Sequence, residues 1–158
     1  MSVYVSVDGT DCAVQEPSVF DPMWFSHKIN GAGVRYEIGL SVAGEIVWVN
    51  GPFPCGKYPD IKIFKNSMVQ ALREEECLIA DNGYNHQKCI TPNTVSDDNR
   101  KLHSRIRARH ETVNRRLKIF SILRQVYRHP LDDHWLYFHA VAQIVALTIK
   151  ETNPLFAL

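Results

Sequence analysis

The sequence predicts a mixed α/β domain, and three observations point there. Apolar and polar residues alternate around Val3, Val5 and Val7, and two more strand-like runs follow within the first third of the chain. From residue 60 the apolar spacing switches to a helical period, then back to a short β-branched run at 76–80. The C-terminal part holds two long helical stretches. A hairpin-led sheet followed by alternating helices and strands is mixed α/β architecture, and 158 residues suit one domain with a real core.

Taken in order, residues 3–14 form a strand pattern running into Asp8-Gly9, the pair at which a turn is expected to end it. Residues 15–33, with Pro17, Pro22, Gly31 and Gly33, are expected to be a loop around Trp24-Phe25. Residues 34–42 and 45–50 pair as a hairpin about Gly44, and the Gly/Pro cluster at 51–56 breaks the sheet. Ile61, Phe64, Met68, Val69 and Leu72 space a helix over 60–72. The strand 76–80 runs to Asp81, and 88–92 fits a short fifth strand closed by Pro92. Ser96 is a good N-cap, with Asp97 and Asp98 at the positive end of the helix dipole. The helix that follows is expected to run for about 25 residues, with Leu102, Ile106, Val113, Leu117 and Phe120 on its apolar stripe. Residues 134–150, carrying Trp135, Phe138, Val141, Ile144, Val145 and Ile149, give a last apolar helix.

The formal net charge of +1 hides an asymmetry: residues 1–98 carry −6 and residues 99–158 carry +7. An acidic pocket beside a basic face is the expectation. Cys12, Cys55, Cys77 and Cys89 have no zinc or redox spacing, and His86 with Cys89 has no second pair to complete four ligands. No secretory signal opens the chain, and the apolar run 140–149 is too short to span a bilayer. An intracellular protein without membrane contact is expected, nuclear if the host is eukaryotic.

Three acids stand out. Asp8 and Asp81 each follow an apolar, β-branched run just before a glycine turn, and Glu111 lies in a strongly basic helix. Carboxylates at strand ends and on a neighbouring helix can converge although 73 and 30 residues separate them along the chain. Converging carboxylates suit hard divalent cations, and arginines beside them suit phosphate. Each acid also has a plainer reading. Asp8 and Asp81 suit simple turns. Glu111, about 140° around the helix from the apolar stripe, is placed to pair with Arg107, Arg115 or Lys118 on a solvated face. Residues 100–128 hold ten Lys/Arg and one acid, Glu111, which suits either such a face or nonspecific duplex binding. Asp11 falls on the opposite pleat from Asp8, where a surface role is expected, and Asp60 opens a helix as its cap. Lys28 with Trp24 and Phe25 either holds a strand of nucleic acid or belongs to a satellite of the core. His110 is expected at the surface.

The succession Val7-Asp8-Gly9-Thr10, Phe25-Ser26-His27-Lys28, Gly56-Lys57-Tyr58-Pro59-Asp60, Ala80-Asp81-Asn82-Gly83-Tyr84 and the Arg/His-Glu111-Thr-Val-Asn-Arg helix resembles the DDE superfamily endonucleases. Among them it is most similar to Harbinger-type and insertion-sequence transposases, and the resemblance covers roughly residues 5–158. It implies an RNase H-like mixed sheet of β-β-β-α-β-α order flanked by helices, with the first Asp ending strand 1, the second ending strand 4 and the Glu on the next helix. Asp8, Asp81 and Glu111 would then be both catalytic residues and ligands of two divalent ions, Mg²⁺ or Mn²⁺, in a metal-dependent DNA endonuclease or transposase core. DNA is the implied partner, met by Lys28, Arg107, Arg115, Arg116 and Lys118. Transposases of this type carry a helical DNA-recognition region ahead of the first catalytic strand, whereas seven residues precede Asp8 here. The expectation is therefore a single catalytic domain without that region. Either a separate recognition protein supplies it, or the chain is a catalytically silent, domesticated remnant that binds DNA or protein.

Overall fold

The computed structural model describes residues 2–158. A six-stranded mixed sheet lies at the centre, formed by β1 (Ser2–Ala13), β2 (Phe25–Ser26), β3 (Gly31–Ser41), β4 (Ile46–Pro54), β5 (Glu76–Ile79) and β6 (Cys89–Ile90). β1 pairs antiparallel with β3 and parallel with β5; β4 lies antiparallel on the far side of β3, and β6 parallel beside β5. This is the RNase H-like arrangement that the order of elements implies. Helices α1 (Asp60–Asn66) and α2 (Met68–Ala71) precede β5, and α3 (Arg100–Leu117), α4 (Ser121–Arg124) and α5 (His134–Glu151) follow β6.

Two apolar layers hold the sheet from its two faces. On one, Cys12, Val14, Tyr36, Ile38 and Leu40 meet Val113 and Leu117 of α3 and Phe138, Val141 and Val145 of α5. There the Tyr36 and Phe138 rings stack with centroids 3.6 Å apart, and Tyr36 Oη and His134 Nδ1 share a 2.7 Å hydrogen bond. On the other face Val7 and Leu78 meet Phe64, Met68 and Tyr84. From Val5 onward, alternation along β1 assigns the even residues to the α3/α5 layer and the odd ones to the α1/α2 layer.

Several boundaries differ from expectation, each for a local reason. Asp8-Gly9 is no turn: both lie inside β1, opposite Ile38 and Glu37 of β3. β3 begins at Gly31 and pairs with β2, because the aromatic loop itself contributes an edge strand. β4 does not stop at Gly51; at φ 144° this residue carries the strand past Tyr36, whose ring a Cβ would meet at 2.7 Å. The helix expected over 60–72 is cut at Ser67, whose φ −137° and ψ −88° leave the helical region. Its hydroxyl donates to Ile63 O at 2.7 Å and to Glu37 Oε2 at 3.1 Å, so the break serves a buried acid on β3. The basic helix is shorter than expected, 18 residues after a 3₁₀ turn at Asp97–Asn99. Leu102, Trp135 and Ile144 are more than 40% exposed, so the helices bury narrower faces than their composition suggests.

Candidate active site at the open end of β1

The parallel register of β1 and β5 sets the site. Ser6 is opposite Ile79 at the last rung of this ladder, so Asp8 and Asp81 each follow it by two residues, and the field of Asp81 reaches Asp8. β5 ends at Ile79, which leaves this flank of β1 open where Asp8 stands. Asp81 sits in the turn that follows and accepts a 2.8 Å bond from Gly83 N, while Asp8 accepts one of 2.8 Å from Gly9 N. The turn reading of Asp81 thus describes its backbone, and its second carboxylate oxygen is left over.

A third aspartate lies nearby, on the opposite pleat from Asp8, and its field reaches Asp8. Asp60 is the first residue of α1, behind Pro59 at the N-cap, and it makes no capping bond. Its carboxylate lies against β1: a Cβ on Gly9 would come within 1.9 Å of Asp60 Oδ1, so only glycine admits the approach. Lys28 Nζ stands 3.5 Å from Asp60 Oδ2 and donates to Gly9 O at 3.0 Å. Arg35 Nε is 3.3 Å from Asp60 Oδ1, yet that buried oxygen accepts no hydrogen bond. The Arg35 fork is aimed elsewhere, at Asp11, with Nε to Oδ1 at 2.7 Å and Nη2 to Oδ2 at 2.8 Å. Ser26 Oγ adds a 2.5 Å bond to Asp11. Asp11 does occupy the opposite pleat from Asp8, but it is buried rather than at the surface, because β2 and its flanking turn cover that face of the sheet.

The electrostatics follow from this crowding. Burial pushes the Asp8 carboxyl up to about 6; Lys28 opposes the shift, and Asp60 and Asp81 add to it. Asp60 is likewise raised by burial despite Lys28 and Arg35. Burial would also raise Asp11, but the hydrogen bonds from Arg35 and Ser26 win and hold it below the ordinary value. Behind these acids Glu37 is pushed up to about 7 by burial, against bonds from Trp48 Nε1 at 2.9 Å and from Ser67. Tyr84 turns its hydroxyl into the same region without a hydrogen-bond partner, its pKa raised by burial and by the fields of Asp60, Asp8, Glu37 and Asp81.

Helix α3 crosses the face of the sheet to which Ser6 and Asp8 belong, opposite the one that carries Asp11 and Asp60. His103 Nε2 lies 2.9 Å from Ile90 O and His110 Nε2 lies 2.9 Å from Ser6 Oγ. His110 is therefore buried, not superficial, and burial lowers its pKa to about 4, so it is neutral. Glu111 follows it, exposed, in a row with Arg107 and Arg115 at four-residue spacing. Among the described residues it makes none of the ion pairs that a salt-bridging face requires. Nor are any three His, Cys, Asp or Glu side chains among the described residues gathered closely enough to hold an ion. That holds for Asp8, Asp60 and Asp81 as much as for Glu111.

The basic run divides. Lys118 departs from its expected role: its ammonium turns inward to Asp11 O, Cys12 Sγ and Leu123 O. Arg109 is buried against Val42 O and Phe156 O, Arg105 donates to Ala157 O, and Arg116 to Asn153 O. Arg100 pairs with Asp97. Among the described residues Lys101, Arg107, Arg115, Arg124 and Arg128 keep their charges free for a partner.

Compared with known families, the chain matches the DDE superfamily endonuclease family over residues 7–149. The protein belongs to this family. No curated protein and no solved structure matches it.

Nucleases of the DDE superfamily usually work with divalent metals, and the donors in this DDE endonuclease domain suit such an ion. Asp8, Asp60 and Asp81 offer hard oxygens only, one of them buried with no hydrogen bond to accept, as Mg²⁺ or Mn²⁺ prefers. The raised acids also make stability depend on pH. With Asp8 at about 6 rather than 3.8, the folded chain holds a proton that the unfolded chain has already released within that window. Stability therefore falls as pH rises from about 4 to 6, and Glu37 extends the fall to about 7. Asp8→Asn removes one contribution and is expected to raise the unfolding free energy by about 2–3 kcal/mol at pH 8, with almost no effect near pH 4. Urea midpoints at the two pH values check this. Millimolar Mn²⁺ should raise the melting temperature of the wild type above about pH 6, where the acids are ionised, and lose that effect below it.

Proposed function

We propose that this domain is a metal-dependent DNA endonuclease or transposase core, with Asp8, Asp60 and Asp81 as the base of the metal site and Glu111 closing it from α3 when DNA and ions are bound. The observation that carries the reading is that the chain matches the DDE superfamily endonuclease family across the stretch that holds Asp8, Asp60 and Asp81, the last two near enough for their fields to raise the Asp8 carboxyl. Arg35 stands beside Asp60, and α3, which carries Arg107 and Arg115, crosses the face of the sheet on which Asp8 lies. When bound, a pair of Mg²⁺ or Mn²⁺ ions would neutralise charge on the attacking and leaving oxygens of a phosphodiester. The chain's own groups do the rest. Asp8 ionises near neutrality and so exchanges its proton for a cation with little loss. Lys28, half exposed at the rim, is placed to meet a phosphate oxygen. Arg107 and Arg115 hold the backbone beside Glu111.

Incubating labelled duplex with the protein in Mg²⁺, in Mn²⁺ and in a chelator tests the proposal; absence of nicking under both metals would refute it. A second reading, a catalytically silent DNA-binding remnant, draws on the lack, among the described residues, of any three carboxylate, imidazole or thiol side chains gathered to hold an ion. It predicts salt-sensitive binding without hydrolysis and no metal-dependent rise in melting temperature.

Binding should itself distinguish the cations. Replacing both Arg107 and Arg115 by alanine is expected to reduce the slope of log affinity against log salt by about two units. Lys118→Ala should leave that slope unchanged and lower stability instead, because its ammonium holds β1 to the end of α3. Filter binding at four salt concentrations reads both outcomes.

A further inference from the structure

Beside the carboxylates opens a cavity of about 460 Å³, walled by Phe20, Phe25 and His27, with Lys28, Arg35 and Pro59 on the side of Asp60. Its aromatic wall stands outside both apolar layers of the core. Phe25 meets Phe20 edge-on at 6.3 Å and His27 edge-on at 5.0 Å, and Phe20 is 62% exposed. Most of the Phe20 ring is therefore open to solvent beside the cavity.

The wall is nonetheless held in place. Asp21 caps the short turn at Pro22–Trp24 through Met23 N at 2.9 Å, and Ser26 is tied to Asp11. Gly56 lies so close that a Cβ would meet Pro22 O at 2.0 Å. The Asp11–Arg35 pair that supports Asp60 thus also anchors the aromatic segment, so pocket and carboxylates share one frame. Lys28 lies between them, lining the cavity with its stem while its ammonium reaches Asp60 and Gly9 O.

We propose that this pocket receives one unpaired nucleobase of the DNA strand held at the carboxylates, stacked on Phe20, with the adjoining phosphate at Lys28. A base offers a flat apolar face that matches an exposed aromatic ring, and its own phosphate supplies the anion that a rim lysine meets. A paired base has both faces covered by its neighbours. The ligand is therefore single-stranded DNA or a base turned out of the duplex. This rests on the nuclease reading for its choice of DNA, and it adds where the substrate must be unpaired.

The test measures binding in EDTA, so that cleavage plays no part. The probes are a single-stranded oligodeoxynucleotide carrying one 2-aminopurine, the same strand with an abasic site there, and the blunt duplex. Phe20→Ala is expected to weaken single-strand binding about five- to tenfold, the effect of one lost stacking partner. Duplex affinity, salt slope and melting temperature should not change. The 2-aminopurine fluorescence should be quenched by the wild type and not by the variant, and the abasic strand should bind both proteins alike. Equal losses on single strand and duplex, or an unquenched probe on the wild type, would overturn the pocket. Quenching by a wild type that never nicks DNA in Mg²⁺ or Mn²⁺ would keep the pocket and remove the nuclease reading.

Discussion

Asp8→Asn is expected to lower the rate of metal-dependent nicking by at least about a thousandfold, some 4 kcal/mol of transition-state stabilisation, while making the folded protein more stable. The two effects share one cause. Asp8 stands on the open flank of β1 with Asp60 and Asp81 close enough to raise its pKa, and burial leaves its ionised form poorly solvated. A divalent cation relieves that strain; an amide removes it and has no charge to offer. Oδ1 of the asparagine keeps the bond from Gly9 N, so the backbone of β1 is undisturbed. Asp60→Asn should behave alike, because its buried oxygen has no hydrogen bond to lose. Asp81→Asn should lose activity without the gain in stability, since Asp81 is half-buried in an open turn. Single-turnover nicking of a labelled duplex, set against urea midpoints, gives both quantities for each variant. Unchanged nicking in Asp8→Asn would remove this carboxylate from the chemistry. An activity loss with an equal loss of stability would make it a structural group.

The contrast with Glu111 matters here. Its helix is fixed by His110 on Ser6 and by Lys118 on Asp11 O, contacts that straddle Asp8 along β1. Glu111 follows His110 on that helix, exposed and without an ion pair among the described residues, so folding does not draw on its charge while the proposed site does. Glu111→Gln should thus leave stability unchanged and reduce nicking. The same substitution without effect on nicking, while Asp8→Asn abolishes it, would leave the three aspartates as the whole of the site.

The sequence made the order of strands and helices readable because each element keeps one period long enough to show it. Asp8 and Asp81 stood out for the same reason, an apolar, β-branched run just before each, and the strands that carry those runs do pair in parallel. Asp60 did not stand out. Its place depends on a missing Cβ at Gly9 and on Arg35 of a third strand, neither of which is near it in the chain. Asp11 was assigned to the correct pleat and the wrong environment, since alternation tells which face a residue takes and not what covers that face. A short strand of two residues, β2, does the covering, and its length is below what periodicity detects. The basic run misled in a related way. Charge alone does not separate Arg107, free at the surface, from Arg109, buried against two backbone carbonyls. A helical wheel places the two on opposite flanks, and only the C-terminal segment near Phe156 decides which flank is covered.

Arg35→Met should be the most damaging single change to stability, costing about 3–5 kcal/mol at neutral pH. Arg35 and Asp11 are 8% and 5% exposed and bonded through both nitrogens of the fork, and the same side chain reaches Tyr58 O at 3.3 Å. A methionine fills similar volume but leaves Asp11 ionised and buried with Ser26 as its remaining side-chain partner, and leaves Asp60 facing Lys28 alone. The pH dependence identifies the cause. In the wild type Asp11 is held below its ordinary pKa, so its contribution is present at neutral pH and is lost as pH falls through the depressed value. In the variant burial acts unopposed by Arg35 and the pKa rises above ordinary, so the sign reverses: the variant should recover stability toward acid pH as Asp11 takes up a proton. Arg35→Lys should fall between, because one ammonium cannot make the two parallel bonds. Adding Asp11→Asn to Arg35→Met should restore part of the loss, since the cost lies in the orphaned charge and not in missing contacts. Urea denaturation of the four proteins at about pH 4.5 and pH 7.5 decides it. A loss independent of pH and unrelieved by the second substitution would mean that Arg35 acts through packing alone, and the support of Asp60 and of the aromatic pocket would have to come from another group.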